Sequence, residues 1–422
     1  MNDNFNEITT LIKNSKFIEA INLLNTLKDD EKKNFNYFFL KGICYLYLNE
    51  FNQAIDNFSL AININNKNPK LYFYRGYSYS RLNEYQKTKN DYKKAISLNP
   101  NAAEFYNNIA QTYRLTGENE DAIKNFITSI ELNKNSKQSF EGLLSILSQT
   151  TDVNINTSKI VLAHKNLNKI NFNYSPYEHI KDSDIKKLLD SINGVLDKNI
   201  DNFKFEKVQT YRETQQTPNC NRHKKIFNTA EIIPQHCFGC YKVQFNIDTV
   251  IDLIKLYIVF DRLNLQNDNS RKCMIELRPG IPGQYKGLIF CNSIDESESI
   301  LKDLSLILYK NFNKNIDCKV KRGCSEYNVK YPKYDDLTND AMKYDPNWKE
   351  FEQEFDKKNP DMIFDKKFNS TIRGITLFDA LVFRNWLAFA KMVGDDTYKL
   401  VTDQVFYSKF IEEKLKLKLK TN

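Results

Sequence analysis

Residues 69–102 read PKLYFYRGYSYSRLNEYQKTKNDYKKAISLNPNA, and the chain on both sides repeats this pattern with a period of 34 residues. The period aligns small residues where the two helices of one repeat would touch: Ala20, Ala54, Thr88 and Ala122. It also aligns first-helix residues that would let the second helix approach: Ile8, Gly42, Gly76 and Ala110. Large residues recur on the second helix at Leu24, Phe58, Tyr92 and Phe126. A fixed period of this length predicts helix pairs that stack into a solenoid.

In these residues the first third of the chain resembles the tetratricopeptide repeat (TPR) family. The four repeats would cover residues 1–34, 35–68, 69–102 and 103–136. Residues 137–148 add a helix that would cap the last repeat. The resemblance implies antiparallel helix pairs in a right-handed superhelix, with a concave groove lined by the first helix of each repeat. Because such grooves usually receive a peptide or a partner's helix, we expect residues 1–148 to bind another polypeptide.

The family's geometry also implies which side chains line the groove. They are Phe39, Leu40, Ile43, Phe73, Tyr74, Tyr77, Asn107, Asn108, Gln111 and Arg114. The groove would change from apolar to polar along its length. The Lys, Asn and Arg residues with which some TPR domains hold a C-terminal carboxylate are missing, so we do not expect a chaperone tail as the ligand. The alternative for the aromatic residues is that some of them pack between neighbouring repeats.

Beyond the repeats, the hydrophobic pattern predicts a different fold. Residues 149–207 form an irregular helical connector, and residues 346–422 form a closing helical segment. Between them, residues 208–345 follow the order strand, helix, strand, strand, helix, strand, which predicts an α+β domain of the ferredoxin-like split βαβ type. In the closing segment, helical spacing predicts a buried helix at 375–393. The Lys-Leu alternation at 414–420 predicts a frayed end.

A dense group of Cys and His residues precedes the first predicted strand. Cys220-x-x-His223 is followed by Cys237-x-x-Cys240. Two residues between ligands allow one turn to present both donors to the same ion, so these four residues predict a structural zinc site with three thiolates and one imidazole. His236 could replace His223 in this set. An iron–sulfur centre and ordinary thiols in a turn are the alternatives.

The predicted sheet adds two further features. The start of its first strand and the ends of its third and fourth strands share one edge, which would bring Cys240, Cys291 and Cys324 close together. Parity places apolar residues under the helices and leaves a largely basic opposite face: Lys242, Gln244, Asn246, Glu276, Arg278, Lys286, Lys319 and Lys321. This face would be solvated, or it would contact single-stranded RNA, although Phe290 is the only aromatic residue expected there.

Composition limits the remaining possibilities. The 422 residues carry a formal net charge of +8 and eight cysteines. The start of the chain lacks the pattern of a secretory signal, and no apolar run reaches the roughly 20 residues that a bilayer requires. We therefore expect a cytoplasmic protein without a membrane segment, in which free thiols and metal ligands are favoured over disulfides. No motif of known hydrolases or nucleotide-binding proteins is present, so no catalytic residue is assigned.

These observations favour a scaffold for protein–protein interaction. The TPR groove would bind a partner polypeptide, and the α+β domain, stabilised by zinc, would supply a second contact or an undetermined activity. Two alternatives stay open. One is an enzyme whose C-terminal domain uses its thiols or a metal, and the other is an RNA-associated protein.

Overall fold

The computed structural model describes residues 3–170, 174–200, 205–214, 219–338, 340–359, 362 and 370–420. These residues separate into two compact units. The first contains the residues up to Ile146 together with Asn359 and Met362, and the second contains the other residues from Leu147 onward. The second unit thus includes the predicted connector as well as the predicted α+β domain. Within the ranges described here, no helix is long and apolar enough to cross a membrane.

The first unit is built from helices that pack in consecutive pairs. They are α1 Asp3–Lys13, α2 Phe17–Thr26, α3 Asp29–Lys32, α4 Phe35–Tyr47, α5 Phe51–Ile64, α6 Pro69–Arg81, α7 Tyr85–Leu98, α8 Ala103–Leu115, α9 Asn119–Leu132 and α10 Lys137–Leu147. The most extensive packing lies within the pairs α4/α5, α6/α7 and α8/α9, and each pair also contacts the next. The helical array expected from the 34-residue period is therefore present.

Each helix pair is joined by the same tight turn. A residue in the left-handed conformation recurs every 34 residues, at Ser15, Asn49, Asn83 and Gly117. The residue after it donates its backbone N–H to the carbonyl five positions earlier, at 2.9 to 3.0 Å in all four turns. This long bond satisfies a carbonyl that the end of the first helix leaves without a partner. Even the first repeat, whose side chains depart most from the pattern, keeps the backbone register.

Close packing explains the small residues on the first helix of each pair. A Cβ atom added to Gly42 would lie 2.7 Å from the ring of Phe58, and one added to Gly76 would lie 3.0 Å from the ring of Tyr92. Both rings are almost completely buried. The large residue on the second helix thus occupies the space that the small residue on the first helix leaves.

The second unit contains helices and one five-stranded sheet. Its elements are α11 Lys159–Asn168, α12 Asp182–Asn199, β1 Gln209–Arg212, α13 Cys220–Ala230, β2 Tyr241–Ile247, α14 Val250–Arg262, β3 Arg271–Ile275, β4 Tyr285–Cys291, α15 Ile294–Phe312, β5 Asp317–Arg322, α16 Trp348–Lys358, α17 Leu377–Val393 and α18 Lys409–Leu419. The strand order is β1-β3-β4-β2-β5, and every neighbouring pair is antiparallel. The hydrophobic pattern did not predict strand β1.

Helix α14 connects β2 to β3, and α15 connects β4 to β5. The core between helices and sheet contains Val243 and Ile289, which pair across β2 and β4. The sheet approaches α14 closely at Gly287, where an added Cβ would lie 2.3 Å from a methyl group of Leu256. This contact explains why glycine stands in the middle of a central strand.

The C-terminal helices differ from the prediction at one point. Helix α17 confirms the expected buried helix, and its Trp386 is fully buried and donates through Nε1 to the Val208 carbonyl at 2.8 Å. The frayed end expected at 414–420 is wrong, because α18 extends to Leu419. Lys418 is buried there and donates to the carbonyls of Glu276 and Gly283 at 2.8 and 3.1 Å. These backbone acceptors anchor a side chain that periodicity alone placed in solvent.

Candidate functional site

The aromatic groove candidates are engaged in helix packing. Phe39 and Tyr74 lie 5.8 Å apart between ring centroids, and both contact the buried Phe58. Phe73 stacks on Phe105 of the next repeat at 4.9 Å. All three candidates remain partly exposed. They therefore hold neighbouring repeats together while presenting only part of each ring to a ligand.

The other apolar candidates differ in exposure. Ile43 is only 7% exposed and belongs to the core around Phe58, so it contributes little to a binding surface. Leu40 and Tyr77 are partly exposed, and Tyr77 packs against the edge of the same core. The Tyr77 hydroxyl accepts a weak hydrogen bond from Arg81 one turn further along α6. Tyr77 therefore offers both an apolar ring and a hydroxyl group at the surface.

The polar candidates share one side of α8. Asn107, Asn108, Gln111 and Arg114 are all partly exposed. Arg114 donates through Nε to Gln111 Oε1 at 3.1 Å, and Ser139 of α10 donates to Asn107 Oδ1 at 3.0 Å. The first contact orients side chains along the surface, and the second ties α8 to the capping helix. This end of the predicted groove is hydrophilic, as the sequence indicated.

A buried ion pair lies within the third repeat. Arg75 on α6 donates to both carboxylate oxygens of Asp91 on α7, at 2.7 and 2.8 Å, and to Ser59 Oγ on α5 at 3.1 Å. The side chains of Arg75 and Asp91 are only 20% and 9% exposed. The pair therefore links three consecutive helices, and no sequence pattern had indicated it.

The predicted zinc ligands all lie in the second unit. Cys220 is the first residue of α13, and His223 is buried one turn later. Cys237 lies in a short 3₁₀ turn at Gln235–Phe238, and Cys240 directly precedes β2. The His223 ring stacks on His236, with centroids 5.1 Å apart. Burial, reinforced by His236 and Arg222, lowers the pKa of His223 to about 4.

A fourth cysteine approaches this group from the far end of the sheet. Cys324 follows β5 and lies in the same buried cluster as Cys237. Tyr241, which follows Cys240, is opposite both Cys291 of β4 and Arg322 of β5. Burial raises the pKa of Cys220 to about 11 and that of Cys240 to about 12. The strand register thus brings Cys240, Cys291 and Cys324 to one end of the sheet, with Cys237 beside them.

These side chains do not form a preorganised metal site. Across the described ranges, no three His, Cys, Asp or Glu residues are arranged to hold a metal ion. All eight cysteines are free thiols. The predicted set of Cys220, His223, Cys237 and Cys240 stays a prediction.

The sheet face expected to be solvated is partly covered. Glu276 and Lys286 are buried there and form an ion pair at 3.0 Å, and Glu276 also pairs with Arg278 at 2.7 Å. Burial alone would raise the pKa of Glu276, but hydrogen bonds from Arg278 and Lys286 outweigh it and lower this pKa to about 2. The expectation of an open basic face is therefore wrong at the end of this face where β3 finishes and β4 begins.

This face also carries more aromatic residues than the sequence predicted. Tyr211 of the unpredicted strand β1 stacks on Phe290, with centroids 6.4 Å apart. Lys272 lies over both rings, at 5.7 and 5.6 Å. A short polar strand carries Tyr211, so alternation of hydrophobicity could not have revealed it.

A cavity of about 290 Å³ in the second unit is lined by charges of both signs. Its charged lining residues are Arg212, Glu213, Asp261, Asp268, Arg271 and Arg373. Arg212 is buried and pairs with Asp261 at 2.8 Å and with Asp379 at 3.3 Å. The positive and negative groups in this lining balance, so the cavity favours neither anionic nor cationic ligands. We interpret the Arg212 ion pairs as structural.

Comparison with known proteins identifies part of the chain. Two family models, both described as tetratricopeptide repeat, match residues 69–102 and 91–124. No curated protein matches the sequence. The similar solved structures include a crystal structure of MamA, with 18% identity over 35% of this chain and 83% of that chain and a TM-score of 0.32.

Two further structures have similar overlap. The Arabidopsis OM64 TPR domain shows 18% identity over 27% of this chain and 94% of that chain, with a TM-score of 0.27. The first TPR of Spaghetti (RPAP3) bound to the HSP90 peptide SRMEEVD shows 23% identity over 27% and 91%, with a TM-score of 0.27. The family matches fall on helices α6 to α9, where the 34-residue register is clearest. Residues 69–124 are therefore tetratricopeptide repeats.

Proposed function

We propose that this protein is an interaction scaffold that binds a partner polypeptide through the first-helix side of its TPR repeats. The observation that carries the proposal is the TPR match over residues 69–124. On the first helices of these repeats, α6 and α8, partly exposed side chains with both apolar and hydrogen-bonding groups follow one another. A surface of this kind suits a segment with mixed apolar and polar residues.

The exposure data refine which residues should contribute to affinity. Phe39, Phe73 and Tyr74 hold the repeats together, so truncating them would disturb the array as well as the surface. Tyr77 and Arg114 are better probes, because both are partly exposed and their removal leaves the fully buried rings of the array in place. Tyrosine and arginine are also the residues most often dominant in binding surfaces.

The second unit supports two finer proposals. We interpret its order of β2, α14, β3, β4, α15 and β5 as the ferredoxin-like split βαβ arrangement, with β1 added at the edge next to β3. The eight free thiols support a reducing, cytoplasmic location. Neither proposal assigns a reaction to this unit, and an enzymatic or RNA-associated role stays an alternative.

Site-specific photo-crosslinking tests the binding surface in the full chain. A photoreactive amino acid at Asn108 on α8 should capture a defined partner in cells, identified by mass spectrometry. The same group at Lys94, an exposed position on the second helix α7, is the matched control. Adding Tyr77→Ser and Arg114→Glu should abolish capture at position 108 while leaving hydrogen exchange of the array unchanged. Equal capture from positions 108 and 94 would contradict a groove on the first-helix side.

A further inference from the structure

Cys240 is held directly against the turn that carries Cys324. The N–H of Gly323 donates to the Cys240 carbonyl at 2.9 Å, and a Cβ added to Gly323 would lie 2.3 Å from Cys240 Sγ. Strand pairing produces this contact, because Tyr241 of β2 is opposite Arg322 of β5. Residues that are more than eighty positions apart in the sequence thus share one end of the sheet.

Cys237 and Cys220 complete a group of four thiols. Cys237 and Cys324 share a buried cluster with Tyr327 and Tyr334. The Tyr327 hydroxyl lies 3.7 Å from Cys237 Sγ, and Tyr334 donates to the Cys237 carbonyl at 2.8 Å. Cys220 is the first residue of α13, and burial, together with Cys324, raises the pKa of its thiol to about 11.

His223 is directed to different neighbours. Its ring stacks on His236, and its helix neighbour Arg222 forms ion pairs with Asp356 at 2.7 Å and with Glu352 at 3.2 Å. These contacts belong to the packing of α13 against α16. The spacing of the sequence favoured His223 because it lies three residues after Cys220, whereas the fold brings Cys324 to the other thiols.

A buried lysine lies beside the thiols. Lys242 is only 8% exposed, and its Nζ donates to two neutral groups, the Gly323 carbonyl and Ser325 Oγ, both at 2.9 Å. Among the described residues, its ammonium group forms no ion pair with a carboxylate. Burying an unpaired charge is costly, so a negatively charged metal–thiolate centre beside Lys242 would offset part of that cost.

We propose that Cys220, Cys237, Cys240 and Cys324 bind one zinc ion as a structural four-thiolate site. Four thiolates and Zn²⁺ carry a net charge of −2, and the Lys242 ammonium group lies beside the site through its bonds to Gly323 and Ser325, the residues on either side of Cys324. Zinc–sulfur bonds of about 2.3 Å in a tetrahedron bring ligand sulfurs to about 3.8 Å from one another. Cys237 and Cys324 lie in one buried cluster, which fits a single ion, whereas an iron–sulfur cluster would hold its ligands further apart.

Binding would have to complete the arrangement of the donors. No three of them are in a coordinating arrangement in the structure, so zinc binding would have to bring the four sulfur atoms closer together. Zinc would therefore link the N-terminus of α13, the turn before β2 and the turn after β5. Because the metal binds the assembled site and not the unfolded chain, its binding free energy would stabilise this end of the sheet.

The test uses the full chain, purified under reducing conditions without metal and then exposed to zinc alone. We expect about one zinc ion per chain. In wild-type protein, zinc should protect Cys220, Cys237, Cys240 and Cys324 from alkylation, as mapped by mass spectrometry. Cys318, a partly exposed thiol outside the group, should remain equally reactive with and without zinc.

Three variants then distinguish the ligand sets. Cys324→Ser should lose stoichiometric zinc, and with cobalt as a substitute it should lose sulfur-to-metal charge-transfer absorption. His223→Ala should retain both, as should Cys273→Ser, which removes a buried thiol elsewhere in the sheet. The proposal is overturned if zinc protects no thiols in the wild-type chain, if His223→Ala loses zinc while Cys324→Ser keeps it, or if the chain binds iron and sulfide instead. The alkylation pattern decides the matter even where Cys324→Ser fails to fold.

Discussion

Replacing Asp91 by alanine should weaken the centre of the repeat array. Arg75 would lose the two hydrogen bonds to the Asp91 carboxylate and would keep only its bond to Ser59 Oγ at 3.1 Å. Its guanidinium group would then be a largely buried cation without a counter-charge. Asp91→Asn should cost less, because the amide oxygen can still accept one of the two bonds.

The expected loss of stability in Asp91→Ala follows from how far the two side chains of the ion pair are exposed to water. Removing one partner of a fully buried ion pair costs about 3 to 5 kcal/mol. The Arg75 side chain is 20% exposed, so water can partly solvate its guanidinium group. We therefore expect Asp91→Ala to reduce the free energy of local opening by about 2 to 4 kcal/mol. Each 1.4 kcal/mol corresponds to a tenfold change in the opening equilibrium.

Hydrogen exchange of the full chain, read by mass spectrometry, measures this effect where it occurs. Amides in α6 and α7 should exchange about 30-fold to several hundred-fold faster in Asp91→Ala than in the wild type. Glu120→Ala is the matched control, since it removes an ion pair with Lys124 in which both side chains are 54% exposed. It should leave exchange unchanged. The reasoning is refuted if Asp91→Ala exchanges at the wild-type rate, because Arg75 would then need no partner.

Three further changes test other parts of the structure. Ala54→Trp should cost about 1 to 3 kcal/mol or more, because Ala54 is completely buried between the helices of its repeat; an unchanged thermal midpoint would contradict the register. Arg212→Met should cost about 3 to 5 kcal/mol in urea unfolding, since it leaves the buried Asp379 carboxylate without its cation. His164 is buried, and burial lowers its pKa to about 4, below the roughly 6.5 of an unfolded histidine. Burial of the neutral ring therefore contributes stability above pH 6.5, and this stability is lost as the pH falls toward 4, with a loss of about 2 kcal/mol by pH 5. The His164→Gln variant should show a weaker pH dependence, measured by hydrogen exchange of α11.

The repeats could be predicted because their contacts are local and recur. Each small residue on a first helix meets a large residue sixteen positions later, as Gly42 meets Phe58 and Gly76 meets Tyr92. A contact that is repeated at a fixed spacing leaves the same period in the amino-acid sequence. The ion pair between Arg75 and Asp91 has the same separation but occurs in one repeat, so no period revealed it.

The thiol group shows where sequence reasoning stopped. Cys220, Cys237 and Cys240 could be grouped because they are close in the sequence, and His223 entered the set for the same reason. Cys324 reaches them only through the pairing of β2 with β5. The predicted strand order implies this pairing and groups Cys324 with Cys240 and Cys291, but the zinc prediction includes only residues that are close together in the sequence. Spacing along the sequence can identify ligands that lie in one segment, whereas the pairing of strands is needed to identify ligands from a distant segment.

The prediction of an exposed sheet face failed for a similar reason. Alternation along β3 and β4 correctly separated the two faces, but it could not show what lies on the second one. Glu276 and Lys286 are buried, and the Glu276 carbonyl accepts from Lys418, which lies more than a hundred residues away. A charged side chain on a strand reads as exposed unless the segment that covers it is known.

The recurring turn of the array leaves room for improvement in one of its four copies. Gly117 adopts the left-handed conformation without a steric penalty, and Asn49 and Asn83 also adopt it readily, whereas Ser15 adopts it against its intrinsic preference. Replacing Ser15 by glycine would relieve this strain without changing the first-helix surface. The array could then be made more heat-resistant while its recognition surface stayed unchanged.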